Sequence, residues 1–172
     1  MKALKKIAFV LVSVLGSLTI HAQQQPMYTH YMDNTLVINP AYAGSRDALT
    51  VTGLYRTQWV NLKGAPVGQT ITMHSPVANE HIGLGLSVAN DKIGPTNNTA
   101  LVFDFAYRMN LTKKSKLALG ISGGVNIFQA NLNNLQLDQP NDPTFQNNIA
   151  NHINPNVGFS IYYSRERFYA GV

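Results

Sequence analysis

The sequence predicts an all-β protein, an antiparallel transmembrane β-barrel that is incomplete here, with about seven strands present. Hydrophobic side chains alternate with small or polar ones in segments of about 9 to 13 residues, the length of a membrane-crossing strand. The second face of these segments carries Gly, Ser, Ala, Asn and Asp, as expected of a polar lumen. Aromatic residues near the strand ends resemble the girdles at membrane interfaces: Trp59, Tyr107, Tyr163, Phe168 and Tyr169.

Residues 1–22 have the layout of a secretory signal peptide. Lys2, Lys5 and Lys6 form a positive region, residues 7–20 are apolar, and Ala22 is a small residue that suits a cleavage site. The apolar run is shorter than the roughly 20 residues that a membrane-spanning helix requires. We therefore expect export with cleavage of this segment.

The charge of the chain does not indicate a nucleic-acid partner. Removal of residues 1–22 takes away three of the 13 basic side chains and leaves 10 against 8 acidic ones. No block of Lys and Arg remains, so a nucleic-acid surface has little support. The chain has no cysteine, which excludes a disulfide framework and thiol chemistry.

Two regions follow the signal. Residues 23–47 are polar and dotted with aromatics, and Pro40 and Gly44 interrupt regular structure, so we predict a periplasmic lead-in loop with a turn. From residue 48 the period is two, and residues 48–172 are predicted to be a partial outer-membrane barrel. Its predicted strands are 48–60, 67–75, 80–92, 98–109, 115–130 and 156–163, and a seventh begins at Phe168.

The predicted connections alternate in length. The longer ones follow strands 1, 3 and 5, at 61–66, 91–97 and 131–155, and the others are short. Short periplasmic turns that alternate with longer outer loops are typical of outer-membrane barrels. Single-chain bacterial barrels have an even number of strands, about eight or more, so an end at Val172 predicts a truncated chain.

No catalytic, cofactor-binding or metal-binding residue is predicted, and we expect that the protein is not an enzyme. Residues 120–124 match G-x-S-x-G, but a nucleophile elbow requires a turn from strand to helix. Ser122 instead lies in the middle of the longest alternating segment, on its small-residue face. The histidines lack the spacing of zinc motifs, and the acidic residues lack the pattern of a calcium loop.

Four charged or polar residues point to the inner face of strands 1 and 4: Arg56, Gln58, Asp104 and Arg108. Two interpretations remain open. They are either ordinary polarity of a lumen, or a charged interior surface that holds a plug or grips a passenger segment.

Several runs of residues resemble the PorP/SprF family. They are NPAYAG at 39–44, LYRTQWV at 54–60, GLGLS at 83–87, NDKIGP at 90–95 and RFYAGV at 167–172, and they occur in order along the chain. The likeness covers nearly all of the chain after the signal. The family's chains are considerably longer, which agrees with the missing strands.

The resemblance implies a non-enzymatic outer-membrane component of the type IX secretion system of Bacteroidetes-type bacteria. Such proteins assist the secretion or surface anchoring of passengers with a C-terminal sorting domain, in some cases gliding adhesins. The implied partners are outer-membrane lipid, the passenger and other type IX secretion components, and no cofactor is implied. From the matched runs we take as candidate assembly or partner residues Asn39, Pro40, Tyr42, Gly44, Arg56, Gln58 and Trp59.

Two other functions fit the same alternation. A passive porin-like channel would share the apolar outer face and the polar lumen. A soluble secreted β-sandwich with an adhesive role would also alternate, although its strands would be shorter, near 5 to 6 residues.

Overall fold

The computed structural model describes residues 32–78, 80–134 and 147–172. The predicted signal peptide, residues 1–22, lies outside the described residues. So do residues 23–31 of the predicted lead-in loop and residues 135–146 of the predicted long loop.

The described residues form one antiparallel sheet in which each strand pairs with its neighbour in sequence. The all-β antiparallel prediction is therefore confirmed, with seven strands, and the sheet curls like part of a barrel wall. The strands are β1 (Thr50–Thr57), β2 (Val67–Ala78), β3 (Ile82–Ile93), β4 (Thr96–Thr112), β5 (Ser115–Ala130), β6 (Ile149–Arg165) and β7 (Phe168–Gly171).

The predicted alternation of long and short connections is wrong at one place. Residues 91–97 were expected to form a longer loop, but β3 and β4 pair as far as Ile93 and Thr96, so the turn contains only Gly94 and Pro95. The polar residues that suggested a loop are paired strand residues, and the Asn90 amide donates to the Asn97 amide oxygen at 2.9 Å. Gly94 has a φ of 56°, which glycine adopts at little cost in so tight a turn.

Two predicted strand boundaries also need correction. β6 begins at Ile149 rather than at residue 156, and Pro155 lies within it opposite Val125 of β5. Within the described residues β7 pairs only with the C-terminal part of β6, so Pro155 lies along an open edge, where proline is tolerated. β1 ends at Thr57 rather than at residue 60, because Trp59 takes a φ of 49° that breaks the strand.

The two faces of the sheet differ as the alternation predicts. The convex face exposes large apolar side chains, among them Tyr55, Phe103 and Phe159, the last 77% exposed. The concave face buries small or polar ones, among them Thr72, Ala106 and Ser160. Successive residues of each strand therefore separate an apolar surface from a polar interior.

The concave face is occupied by the chain that precedes β1. Residues 32–47, called the inner segment below, contain two short 3₁₀ helices, η1 (Thr35–Val37) and η2 (Pro40–Tyr42). A third, η3 (Leu132–Asn134), follows β5. The η2 turn packs against β3, β4, β5 and β6, so the described part of the predicted lead-in lies inside the curl of the sheet.

Candidate functional site: the inner segment on the concave face

The sequence around η2 explains its shape. The Asn39 side chain caps the turn, since its Oδ1 accepts a hydrogen bond from the Ala41 N–H at 3.0 Å. Pro40 stands at the first position of the turn, where its missing N–H costs nothing. Gly44 ends this stretch with a φ of 72°. Asn39, Pro40 and Gly44 thus shape the turn that the sequence predicts.

On one side the inner segment is bound to β6. The Ser160 hydroxyl accepts a second hydrogen bond from the Ala41 N–H, at 2.9 Å. The Asn39 amide also donates to the Ile161 carbonyl at 3.2 Å, across 122 positions of the chain. Each bond has one backbone partner, the Ala41 N–H of the turn or the Ile161 carbonyl of β6. The two bonds therefore fix the backbone of the inner segment relative to β6.

On the other side it is bound to β2. The His74 ring accepts a hydrogen bond at Nδ1 from the Gly44 N–H, at 3.1 Å. Near the start of the segment, the Thr72 hydroxyl donates to the Asn34 amide oxygen at 2.8 Å. Because Nδ1 is the acceptor, His74 must be unprotonated at that nitrogen in this arrangement.

Tyr42 lies between these two sides of the curl. Its ring meets the His74 ring edge-on at 5.4 Å between centroids, with an interplanar angle of 73°. It meets the Tyr162 ring of β6 at the same distance, at 85°. Edge-to-face geometry of this kind is favourable for aromatic pairs. One tyrosine therefore joins strands that are four positions apart in the sheet.

Arg108 of β4 and Lys116 of β5 make charged contacts with the inner segment. The Arg108 Nη1 donates to the Gly44 carbonyl and to the Asp47 carboxylate, the latter at 2.9 Å. Lys116 of β5 reaches the other oxygen of the same carboxylate at 3.3 Å. Partial burial raises the pKa of Asp47, but the hydrogen bonds from Arg108 and Lys116 outweigh this effect and hold the pKa below its usual value.

Glycines on the concave face allow the backbone of the segment to come close. A Cβ on Gly83 would lie 2.0 Å from the Ala43 oxygen, and one on Gly120 would lie 2.2 Å from the Ala41 nitrogen. Neither distance is possible for a real side chain, so these strand positions require glycine as long as the segment is seated.

Arg56, Gln58 and Trp59 lie elsewhere. They are at the far end of β1: Arg56 is four residues, about 13 Å along the strand, beyond Thr52, which adjoins the inner segment, and Gln58 and Trp59 follow it. The Gln58 side chain faces the Arg56 guanidinium. With its amide oxygen toward Arg56, it accepts hydrogen bonds from the guanidinium nitrogens. Trp59 is 67% exposed. The structure therefore gathers Asn39, Pro40, Tyr42 and Gly44, and separates them from the other three candidates.

Of the strand residues that contact the inner segment, Arg108 is among the inward-pointing residues that the sequence predicts, whereas His74 and Ser160 were not predicted as partners. His74 and Ser160 look like unremarkable strand residues there, and only the alternation signals that Ser160 and the glycines belong to the small-residue face. Beyond η1, toward the opposite end of the sheet, a cavity of about 90 Å³ remains open. Polar residues line it: Ser87, Asp91, Asn98, Asn126 and Asn156.

A family model described as type IX secretion system membrane protein PorP/SprF matches residues 20–172. The chain belongs to this family. The family consists of membrane components of a secretion system and is not a known family of enzymes. Other components of the type IX system are therefore the expected partners of the chain. Neither a curated protein nor a solved structure matches the chain.

Three further findings concern this PorP/SprF chain. In residues 32–78, 80–134 and 147–172 no helix is long and apolar enough to cross a membrane. Across the same ranges no three His, Asp or Glu side chains are grouped so that they could hold a metal ion. Ser122 of the G-x-S-x-G run lies within β5, and β5 continues to Ala130 without a turn into a helix.

Proposed function

We propose that the protein is a non-enzymatic outer-membrane component of the type IX secretion system. In this role it assists the secretion or surface anchoring of proteins that carry a C-terminal sorting domain, gliding adhesins among them. The proposal places the protein in a bacterial outer membrane of the Bacteroidetes type, after export and cleavage of residues 1–22. Family membership supplies the secretion system, and the fold supports the membrane assignment.

The observation that carries the membrane assignment is the pair of opposite faces. Aromatic and aliphatic side chains such as Phe103, Ile121 and Phe159 are exposed on the convex face of strands that reach 16 to 17 residues in β4 to β6. In water this surface would be costly, at roughly 25 cal/mol for each Å² of apolar area. Outer-membrane lipid is the partner that would cover it.

The candidate residues divide into two groups under this proposal. Asn39, Pro40, Tyr42 and Gly44 serve assembly, because their contacts join β2 and β6 through the inner segment. The second group, at the opposite end of β1, serves contact with the passenger. Trp59 is exposed there and has a positive φ, which is uncommon for a bulky residue and is found more often at functional sites.

The role of the second group is tested by substitution. We expect that the double variant Arg56→Ala/Gln58→Ala assembles in the outer membrane as the natural protein does, but displays less passenger on the cell surface. Asn39→Ala is the comparison, because it should reduce assembly as well as display. A double variant with natural assembly and natural display would remove the proposed passenger contact.

The function itself is tested by deletion of the full-length gene in the native host. Mass spectrometry of the cell-surface and culture-fluid proteins should then show loss or mislocalisation of one or a few proteins that share a C-terminal domain. Complementation with the natural gene should restore them. An unchanged set of surface and secreted proteins would contradict the secretion role while leaving the membrane assignment in place.

A passive porin-like channel is the alternative function. The polar concave face favours it, but the inner segment occupies part of that face, as a plug would. Ion conductance of the full protein in a planar bilayer, together with unchanged secretion in the deletion strain, would favour the channel. The soluble β-sandwich has less support, because the described residues form one sheet rather than two packed sheets.

A further inference from the structure

A basic cleft lies at the end of the sheet where β4 turns into β5 and β6 turns into β7. Its volume is about 620 Å³. Its lining includes Lys113, Lys114, Lys116, Arg165 and Glu166, four cations and one acid. Like charges placed together repel, and an anion bound among them would relieve this repulsion.

The ion pairs at the cleft do not neutralise all of its positive charge. Lys114 pairs with Glu166 at 3.3 Å, and Lys116 pairs with Asp47 of the inner segment. Among the described residues Lys113 and Arg165 have no ion-pair partner, and both are exposed. The first pair is about two-thirds exposed on both sides, so solvent screens it and an incoming anion competes with it at small cost.

One wall of the cleft is on the concave side of the sheet. Lys116 alternates in register with Ala118 and Gly120, which lie under the inner segment, and Ser45 of the inner segment lines the cleft. By the same alternation with Ser160 and Tyr162, Arg165 points to the other side, next to its strand partner Phe168. The cleft therefore lies around the ends of the strands. Lys116 already binds a carboxylate of the chain there, that of Asp47, so a polypeptide carboxylate is a ligand that this cleft accommodates.

We propose that this cleft docks an acidic polypeptide segment of a partner protein. Carboxylates of such a segment would pair with Lys113 and Arg165 and would share Lys114 with Glu166. The interaction is electrostatic and exposed, so it weakens as salt shortens the reach of each charge to about 8 Å at 0.15 M. The inference goes beyond the proposed function, because it holds whichever passenger the protein serves.

The test uses the full natural chain, purified into nanodiscs of a neutral lipid, with fluorescein-labelled octaglutamate as the probe. The charge-reversal variant is Lys113→Glu/Arg165→Glu. Its matched control, Lys63→Glu/Lys92→Glu, reverses two exposed lysines at the opposite end of the strands. Far-UV circular dichroism of each variant verifies that the strands are retained.

We expect salt-sensitive binding of octaglutamate to the natural protein, and none of octalysine. Binding should weaken about tenfold or more in the cleft variant and change little in the control. Absence of binding to the natural protein, or an equal loss in both variants, would overturn the proposal. If phosphatidylglycerol in the nanodisc blocks the peptide, the cleft takes lipid headgroups instead, which also overturns it.

Discussion

Arg108 of β4 donates a hydrogen bond to the backbone carbonyl of Gly44, a residue 64 positions earlier in the chain. The same Nη1 reaches the Asp47 carboxylate, so one buried guanidinium holds both the end of η2 and the residue that leads into β1. A charged donor on a buried carbonyl is stronger than a neutral one. The seating of the inner segment therefore depends on a strand residue far away in sequence.

Replacement of Arg108 tests this dependence. In Arg108→Met the Gly44 carbonyl loses its charged donor, and a buried acceptor without a donor costs about 1–3 kcal/mol. We expect amide hydrogen exchange in the inner segment to accelerate about tenfold or more, while the amides of β5 stay protected. Arg46→Met is the control. It also removes an arginine that contacts the inner segment, but Arg46 is exposed and donates to the Tyr42 hydroxyl rather than to a buried carbonyl. Equal exchange in both variants would contradict the proposed seating role of Arg108.

Two glycines of β5 offer a matched test of close packing. A Cβ at Gly120 would lie 2.2 Å from the Ala41 nitrogen, whereas one at Gly123 meets nothing within 4 Å. We expect Gly120→Ala to destabilise by about 1–3 kcal/mol through overpacking. Gly123→Ala should be neutral or should stabilise by about 0.4–1 kcal/mol, because alanine restricts the unfolded chain. Urea unfolding in lipid vesicles measures both, and equal midpoints would mean that the segment does not lie against β5.

The sequence predicts the sheet well because a period of two is a local property. Each segment from 48 to 171 reveals which face a residue occupies without knowledge of its partner strand. The number of strands and their antiparallel order follow once short connections are assumed. The same locality explains the error in β6, where Asn154 and Pro155 suggest a loop although their pairing with Asn126 and Val125 of β5 makes them a strand.

The site is predictable only in part. The NPAYAG run at 39–44 stands out by its resemblance, and Pro40 and Gly44 predict a turn. Alternation places Arg108 on the inner face, but the docking partners His74 and Ser160 cannot be found this way, because their bonds connect residues 30 and 119 positions apart. Such contacts depend on the curl of the whole sheet, which no local pattern contains.

Acid should weaken the hold on Asp47. The pKa of this carboxyl is lower in the folded protein than its ordinary value of 3.8, so its contribution to stability is full above that value and is lost as the pH falls through the folded pKa. The effect is small, because the side chain is 47% exposed. We expect the near-UV circular dichroism of the Tyr42–Tyr162 pair to decline as the pH falls below 3.8, the ordinary pKa of this carboxyl.

Asp47→Asn is the control for this titration. The amide cannot ionise, so the variant should show a weaker tyrosine signal at pH 5 and less change on acidification. Identical titration curves for the variant and the natural protein would assign the acid response to groups other than Asp47.

The apolar convex face predicts a strong difference between two positions of β6. Phe159 is 77% exposed on the convex face, and Asn156 lies three residues earlier on the concave face, where it lines the open cavity. An arginine that faces lipid near the bilayer midplane costs about 2–4 kcal/mol, whereas one in the lumen remains hydrated. We therefore expect Phe159→Arg to lower the amount of protein in the outer-membrane fraction severalfold, and Asn156→Arg to leave it near the natural level. Phe159→Leu should behave as the natural protein does, because it keeps the surface apolar, and equal recovery of the two arginine variants would show that the convex face does not contact lipid.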